Sequence, residues 1–295
     1  MGALLLLVTT FIWGTAFLAQ KLGADHLGPI AITVLRNILG GACLGGCILV
    51  RRLRGKGADF PLSRKASVLA GVCCGVPLFA AMAAQQIGIQ YTKPGISAFL
   101  TTNYVLFVPL LVAIRSRRLP RPVILACALL ALGGTALICL PADATAGFRI
   151  GRGETWTLLC AFLFAVQILA VARFARSCDL LVMSAAQLLT CSVLGAPFLF
   201  LPSESAHLTA AELASAFLPL VYLGVFSSGI AYTLQNFAQA RTAPAVAAIV
   251  LSLESVFGAL SGWVALGDVL TPLQIAGCAV VFAAVVLSQL VPQRA

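Results

Sequence analysis

Apolar runs of about twenty residues recur along the whole chain, and short stretches containing proline, glycine or charged residues separate them. A helix of that length spans the hydrocarbon core of a bilayer, and such breaks mark the ends of spans. The pattern predicts an all-α polytopic membrane protein with ten transmembrane helices and short connections. The predicted spans are 3–20, 29–50, 66–89, 95–114, 122–140, 155–172, 180–201, 214–236, 245–266 and 272–290.

A repeat divides these spans into two sets of five. The stretch 85–109 resembles the stretch 235–259, which lies 150 positions later. Both copies place a threonine two residues before a proline and then continue as an apolar run. At the midpoint of this run the first copy has Tyr104 and the second has Glu254. The repeat therefore pairs a neutral residue with an acid at equivalent positions.

The odd number of spans in each half determines their relative orientation. The second half (151–295) enters the membrane in the opposite sense to the first half (1–150), and such inverted repeats place a substrate site near the middle of the membrane. Fourteen lysines and arginines fall in loops on one side and four on the other. Because cytoplasmic loops carry the excess of these residues, we expect both termini in the cytoplasm. The predicted fold is two inverted five-helix halves around a central cavity.

Composition agrees with lipid as the solvent of this chain. Hydrophobic residues make up 61% of the 295 positions and charged residues 9%, whereas a soluble domain has roughly 25% charged residues. The formal net charge of +10 would suggest nucleic acid in a soluble protein, but the basic runs here are short and lack interleaved aromatic residues. We therefore expect the bilayer as a partner and no nucleic acid.

The ten cysteines do not form a metal-binding or disulfide pattern. Nearly all lie inside apolar runs, no CxxC occurs, and the two histidines, His26 and His207, are far from any cysteine pair. Cysteine in that setting behaves as a small buried hydrophobic residue. We expect neither a metal site nor a cofactor.

Several short motifs occur in an order and spacing that resemble one transporter family. They are WGTAF at 13–17, TVLRN at 33–37, the helix starts at Pro94 and Pro244, and LGDVLTPLQIAG at 266–277. Together they resemble the EamA-type members of the drug/metabolite transporter superfamily over nearly the whole chain. The resemblance implies a carrier of the cell inner membrane, often an exporter of amino acids or other small metabolites. It also implies a ten-helix basket whose fifth and tenth helices lie outside.

Two charged residues lie deep within predicted spans. Arg36 is about eight residues into the second span and Glu254 about nine into the ninth, hence roughly 12 Å from the span ends. A charge at mid-membrane costs about 2.5–3.5 kcal/mol on insertion scales, so such residues normally face a cavity or a partner. Three hypotheses stay open. Arg36 binds a carboxylate or phosphate of the substrate; Glu254 binds a substrate amine or a coupling proton; or the two form a salt bridge that touches no substrate.

Other polar and aromatic residues share helical faces with this pair and predict the wall and the mouths of the cavity. For the wall residues, the structural alternatives are core packing and single interhelical hydrogen bonds. For the residues at the mouths, the alternative is a solvated helix end. The candidate substrate-binding residues, besides Arg36 and Glu254, are Trp13, Tyr104, Gln167 and Gln187, and the candidate gate or vestibule residues are Gln85, Gln86, Gln235 and Asn236.

These features predict a secondary transporter that moves a small metabolite by alternating access between the inverted halves, with a proton as the candidate coupling ion. No GxxxxGK[ST] motif occurs, which argues against direct use of ATP. The sequence also lacks HExxH, GxSxG and a second intramembrane acid beside Glu254, so we do not expect an enzyme. The alternatives are a passive facilitator or flippase for other small or lipid-linked cargo, and a membrane receptor or structural protein.

Overall fold

The structure, a computed structural model, describes residues 2–55, 63–92, 94–117, 120–139, 151–266 and 271–290. Within these ranges the chain is mainly helical and forms no β-strand. We number the ten membrane-crossing segments α1–α10 in chain order. They are α1 Gly2–Ala24, α2 Pro29–Leu53, α3 Arg64–Tyr91, α4 Pro94–Thr101 with Tyr104–Ser116, α5 Pro122–Cys139, α6 Arg152–Phe174, α7 Leu180–Gly195, α8 Phe217–Val221 with Tyr222–Ala231 and Tyr232–Gln239, α9 Pro244–Leu251 with Glu254–Leu266, and α10 Pro272–Leu290.

Length and hydropathy identify nine of these segments as membrane spans. In the described part of the chain, nine helical segments are long and apolar enough to cross a bilayer, and Pro122–Ile138 is a shorter apolar helix. Large hydrophobic side chains such as Leu4, Ile114 and Val264 are exposed on the outer surface, as expected of residues that contact lipid. The prediction of an all-α polytopic membrane protein is confirmed.

Proline and capping residues explain where many of the helices begin. α2, α4, α5, α9 and α10 each start at a proline, which is preorganised for the first helical turn and leaves no N–H unsatisfied there. α3 follows Ser63, whose side chain accepts a hydrogen bond from the N–H of Ala66. α7 follows Asp179, whose carboxylate accepts from the N–H groups of Leu181 and Val182. Local sequence is therefore sufficient to start these helices.

α4 agrees with the predicted span over 95–114 as a membrane segment, Ile96–Ser116, but it is interrupted near its middle, which the sequence did not predict. At the interruption, the N–H of Asn103 donates to the carbonyl of Leu100 (3.2 Å) and the N–H of Val105 donates to that of Thr102 (2.9 Å). These bonds join residues three apart instead of four. The backbone therefore tightens for one turn before the helix resumes.

α9 is interrupted in the same way. The predicted span over 245–266 agrees with the membrane segment Pro244–Val264, and the interruption within it was not predicted. The N–H of Leu253 donates to the carbonyl of Val250 (3.1 Å), and the N–H of Ser255 donates to that of Ser252 (3.2 Å). Each of these residues lies 150 positions after its counterpart in α4. The two interruptions are thus a feature of the repeat.

Short polar side chains lie at the interruptions and bond to the preceding turn. The hydroxyl of Thr102 donates to the carbonyl of Phe99 (2.7 Å), and the hydroxyl of Ser252 donates to that of Ile249 (2.7 Å). Such side chains compete with the backbone N–H groups for the carbonyls of the preceding turn. Apolar periodicity does not report this competition, and so the prediction missed it.

α8 departs from a regular helix because Tyr222–Ala231 forms π-helical turns. Glycine allows this widened segment to approach α2 closely: a Cβ added at Gly40 would lie 2.8 Å from the carbonyl oxygen of Gly224 and 3.0 Å from the nitrogen of Gly229. The predicted span over 180–201 agrees with the membrane segment Leu180–Phe200, whose last turn, Ala196–Phe200, is a 3₁₀ helix. Short helices over Pro202–Ser205 and Ala210–Ser215 then lead to α8.

The helices of the two halves contact each other reciprocally. α1 packs on α8 and α9, and its counterpart α6 packs on α3 and α4. α2 packs on α7 and α8, and its counterpart α7 packs on α2 and α3. Each contact therefore occurs twice, as a pseudo-two-fold relation between the halves requires. This packing agrees with the predicted pair of five-helix halves.

α5 and α10 form the periphery of the molecule. They pack on each other and reach the other helices mainly through α4 and α9. A Cβ added at Gly134 of α5 would lie 2.8 Å from the carbonyl oxygen of Gly277 of α10, so the pair is in close contact at these glycines. The outside position implied for the fifth and tenth helices agrees with this arrangement.

Some sequence-based expectations concern residues outside the described ranges. The end of the predicted first half falls in the stretch 140–150. Among the loop cations used to predict the orientation, Lys56, Lys93, Arg118, Arg149 and Arg294 also lie outside those ranges.

Candidate functional site

A small cavity lies at the centre of the molecule, between the two halves. α1, α2, α3 and α4 of the first half and α6, α8 and α9 of the second half contribute its lining. Its volume is about 30 Å³, and one water molecule needs about 10–15 Å³ of such space. In this conformation the cavity therefore has room for about two water molecules and none for a metabolite.

Arg36 of α2 is buried at this cavity with only neutral partners. Its side chain is 4% exposed. The Nε atom donates to the hydroxyl of Ser228 (3.0 Å), and one terminal nitrogen donates to the hydroxyl of Ser227 (2.7 Å). Both serines belong to the π-helical segment of α8, which the Gly40 contact brings against α2. The guanidinium is thus oriented by two hydroxyls and neutralised by neither.

Glu254, at the same cavity, does not pair with Arg36. Within the described ranges, Arg51 forms an ion pair with Asp179 and Nδ1 of His26 contacts Oε2 of Glu212 at 2.9 Å, and Arg36 takes part in neither contact. The hypothesis of an Arg36–Glu254 salt bridge is therefore wrong for this conformation. The cation and the acid have separate environments although they line one cavity.

The carboxyl group of Glu254 bonds instead to the residue that the repeat makes its equivalent. The Tyr104 hydroxyl donates to Oε1 of Glu254 over 2.9 Å, across 150 positions of sequence. Both residues are buried, and each begins the second part of an interrupted helix. The partial positive charge of a helix N-terminus favours a carboxylate at that place. The interruptions thus bring two equivalent side chains together at the pseudo-two-fold axis.

Trp13 lies beside the Arg36 site and forms part of the wall. Its indole N–H donates to the carbonyl of Ser227 (3.1 Å), and its ring centroid is 4.8 Å from that of Tyr232. Tyr232, of α8, also lines the cavity. One side of the cavity is therefore aromatic and is fixed to the same segment that orients Arg36.

Four glutamines line the cavity near Arg36 and Glu254. Gln85 donates through its Nε2 atom to the hydroxyl of Thr101 (3.3 Å), and Gln235 donates through its Nε2 atom to Oε1 of Gln167 (3.4 Å). Several of their polar atoms are buried without a partner, namely Oε1 of Gln20, Nε2 of Gln167 and Oε1 of Gln235. Buried polar atoms are normally satisfied, so these atoms are free for bound water or a ligand.

The structure places three of the predicted site residues away from the cavity. Gln187 accepts a hydrogen bond from Nδ2 of Asn236 (3.4 Å), and the same Asn236 nitrogen donates to the hydroxyl of Ser184 (2.8 Å). Gln86 donates to the carbonyl of Gln20 (3.2 Å). The contact of Gln187 matches its alternative of an interhelical hydrogen bond, whereas Gln86 and Asn236 are buried and do not match the alternative of a solvated helix end. Gln85 and Gln235, predicted at the mouths, line the cavity.

Sequence reasoning missed the partners of Arg36. Ser227 and Ser228 lie in an apolar run and form no motif, and their role depends on the π-helical turns of α8. The one available signal is the polar pair followed by Gly229 in the middle of a predicted span. In the part of the chain that the structure describes, no cluster of histidine, cysteine and acidic side chains could hold a metal ion.

Comparison with known proteins identifies the family of this chain. The sequence model of the EamA-like transporter family matches twice, over residues 1–140 and 151–290. A protein named "Uncharacterized transporter" from Archaeoglobus fulgidus is 26% identical over 285 residues, which cover 97% of this chain and 84% of that protein. A chloroplastic WAT1-related protein of Arabidopsis thaliana is 25% identical over 289 residues, covering 94% of this chain and 66% of that protein.

A solved crystal structure has a similar fold. It matches with a TM-score of 0.78 and 22% identity, over 98% of this chain and 96% of its own. At that identity the likeness shows the fold alone. The two family matches extend over nearly the whole sequence and agree with the resemblance carried by its motifs. The chain belongs to the EamA-like transporter family.

Proposed function

We propose that this member of the family is a secondary transporter that exports a small metabolite bearing a carboxylate or phosphate, with amino acids as the leading class. The halves 1–150 and 151–295 would move against each other and expose the central cavity to each side of the membrane in turn. Arg36 would bind the anionic group of the substrate. Trp13, Tyr104 and Gln167 would contact its remaining parts.

The observation that carries this proposal is the unpaired state of Arg36. A buried charge without a counter-charge is strongly destabilising, and an acid, Glu254, lines the same cavity without neutralising it. Two serine hydroxyls orient the guanidinium and leave other N–H donors for a ligand. An anionic group held by the planar guanidinium would supply both the missing charge and a directed contact.

Glu254 supports a second part of the proposal, which is coupling. Its carboxyl group accepts a hydrogen bond from the neutral hydroxyl of Tyr104. A carboxyl group with a neutral partner can bind a proton or the ammonium group of an amino acid. We propose that it does so once per transport cycle. Arg36 and Glu254 would then contact opposite ends of a zwitterionic substrate.

The hydrogen bonds of Gln85 and Gln235 support a gating role for these two residues at the ends of the cavity. Gln85 lies six residues before the end of α3, and Gln235 lies four before the end of α8, hence within about 9 Å of those ends. Since α3 and α8 are equivalents in an inverted repeat, they end on opposite faces of the membrane. The bonds Gln85–Thr101 and Gln235–Gln167 would therefore break alternately as either side opens, with Gln86 and Asn236 holding the neighbouring turns.

The small volume of the cavity agrees with a conformation that has no room for substrate. A metabolite site normally occupies roughly 300–1,000 Å³, and the cavity has about 30 Å³. Binding would therefore require the halves to separate. The interruptions of α4 and α9 lie at the cavity and allow each helix to bend there.

The experiment that tests the transport proposal begins with the cargo. Cells that over-produce the protein are profiled for metabolites in medium and cytoplasm, and each enriched compound is then assayed for flux in proteoliposomes. We expect flux of a compound with a carboxylate or phosphate. An analogue with an amide or ester in place of that group should not compete. Flux equal to that of empty liposomes for every enriched compound would contradict the proposal and favour a receptor or structural role.

We also propose that the protein resides in the cell inner membrane with both termini in the cytoplasm. The excess of lysine and arginine on one side supports this orientation. Reporter fusions that are active on only one side of the membrane, placed after α1 and after α10, test it. Fusions after α10 should report the cytoplasm and fusions after α1 the opposite side.

A further inference from the structure

A groove opens on the lipid-facing surface between α2 and α3, at the ends that their connection joins. α2 and α3 form its walls and α7 forms its floor, because both helices pack on α7 more extensively than on each other. Its volume is about 660 Å³, within the roughly 300–1,000 Å³ typical of ligand sites. The groove shares no lining residue with the central cavity.

The walls and floor of this groove are apolar and accessible. Val68, Val72 and Val76 follow each other at four-residue spacing along α3, and their side chains are 42%, 39% and 50% exposed. Leu189 of α7 contributes to the floor. On α2, a Cβ added at Gly45 would meet nothing within 4 Å. The groove is therefore open along an apolar path and can accept a hydrocarbon chain.

One end of the groove is basic. Arg52, in the last turn of α2, and Arg64, the first residue of α3, both line it. Within the described ranges neither arginine takes part in an ion pair, and the nearby acid Asp179 is held by Arg51 and by the first N–H groups of α7. Two arginines at the end of an apolar groove are complementary to an anionic headgroup with an attached chain.

The length of the groove agrees with a lipid of one leaflet. From Arg64 to Val76 the helix advances twelve residues, which is about 18 Å. One leaflet contributes about half of the roughly 30 Å hydrocarbon core. A chain that starts at the arginines would therefore reach the mid-membrane end of the groove. Free phosphate would use the basic end and leave the apolar path empty.

We propose that this groove binds an anionic phospholipid, with the phosphate held between Arg52 and Arg64 and one acyl chain lying along the valines of α3. The site is independent of the transport proposal. A lipid bound there would contact α2, α3 and α7 together and so connect the two halves of the molecule at one membrane face.

The charge requirement is tested with the full chain in detergent by native mass spectrometry. The protein receives equal amounts of phosphatidylglycerol and phosphatidylcholine with the same acyl chains. We expect about 25-fold greater retention of phosphatidylglycerol, since each of the two basic residues contributes roughly fivefold. The R52Q/R64Q variant should lose this preference. The control R54Q/K65Q, which removes two charges from residues that do not line the groove, should keep it. No preference in the unmodified protein, or equal loss in the control, would overturn the proposal.

The acyl-chain requirement is tested by filling the groove. Gly45 and Gly46 are neighbours on α2 with open space beyond an added Cβ, and only Gly45 lines the groove. Gly45→Leu should reduce phosphatidylglycerol retention about tenfold, and Gly46→Leu should leave it unchanged. Equal retention by both variants would refute the groove as the chain site. Displacement of the lipid by millimolar inorganic phosphate would also refute it.

Discussion

The lining of the central cavity has a paired region and an unpaired region. In the paired region each residue of the first half has a counterpart 150 or 151 positions later that also lines the cavity. The pairs are Trp13 with Phe164, Ala16 with Gln167, Phe17 with Ile168, Gln85 with Gln235, Thr101 with Leu251 and Tyr104 with Glu254. The unpaired residues are Gln20, Arg36, Ser227 and Tyr232. The repeat therefore builds most of the cavity. Arg36, the residue proposed to bind the anionic group of the substrate, belongs to the part without repeat counterparts.

The equivalents of the unpaired residues explain why the Arg36 site occurs once. The counterpart of Arg36 is Gln187, which bonds to Asn236 outside the cavity. The counterpart of Ser227 is Pro77, which has no hydroxyl and lies within the continuous helix α3. α8 at this level is π-helical and presents two serines to Arg36. Two local differences between equivalent helices thus convert a symmetric frame into a cavity with one cationic side.

The largest expected effect comes from removing the positive charge of Arg36. Arg36→Gln should lower kcat/KM for the transported compound about 100-fold, since hydrogen bonds to a charged group contribute about 1.5–3 kcal/mol and a buried partner is then left unpaired. Flux in proteoliposomes measures it. The matched control is the equivalent position: Gln187→Ala should stay within about threefold of the unmodified protein. Similar losses in both variants would indicate that the unpaired region has no special role in binding.

A smaller effect is expected from substitutions of Glu254 and Tyr104, the two equivalent residues that bond to each other. Glu254→Gln should abolish the response of flux to an imposed pH gradient, because an amide cannot take up the coupling proton. Tyr104→Phe removes one neutral hydrogen bond, which is worth about 1 kcal/mol, so flux should fall about fivefold and its gradient dependence should remain.

The same measurement separates coupled from passive movement. If the Glu254→Gln protein still responded to the gradient, the acid would not be the coupling group. If the unmodified protein showed no response either, passive facilitation would replace coupling in the proposal. Both variants should purify with the same oligomeric state, which checks that folding is intact.

The smallest effect is expected at the interruptions of α4 and α9, which bring Tyr104 and Glu254 together. Thr102→Val and Ser252→Ala each remove one hydroxyl-to-carbonyl bond at equivalent positions, and each should lower the free energy of unfolding by about 0.5–1 kcal/mol. Unfolding in mixed detergents measures the change. Thr157→Val is the control, because its hydroxyl bonds to the carbonyl of Gly153 within a regular helix. A loss at only one of the two interruptions would show that they do not stabilise the halves equally.

Sequence reasoning succeeded where the signal was local or periodic. Spans appear as apolar runs, and the deep positions of Arg36 and Glu254 follow from counting along those runs. It failed for Gln187, which it placed in the cavity wall. Helical periodicity tells which residues share a face of a helix, but it does not tell which other helix packs against that face. It also failed at Thr102 and Ser252, whose side chains compete with the backbone in a way that hydropathy does not record.

The sequence by itself determined the class of this protein, its division into two inverted halves and the presence of one cation and one acid deep in the membrane. Each of these depends on composition, period or position along a single helix. Only the tertiary structure decided that Arg36 meets Ser227 and Ser228 while Glu254 meets Tyr104. The physical reason is that these contacts join distant helices. Their geometry depends on close glycine contacts and on the irregular turns of α4, α8 and α9, which arise when the helices pack together.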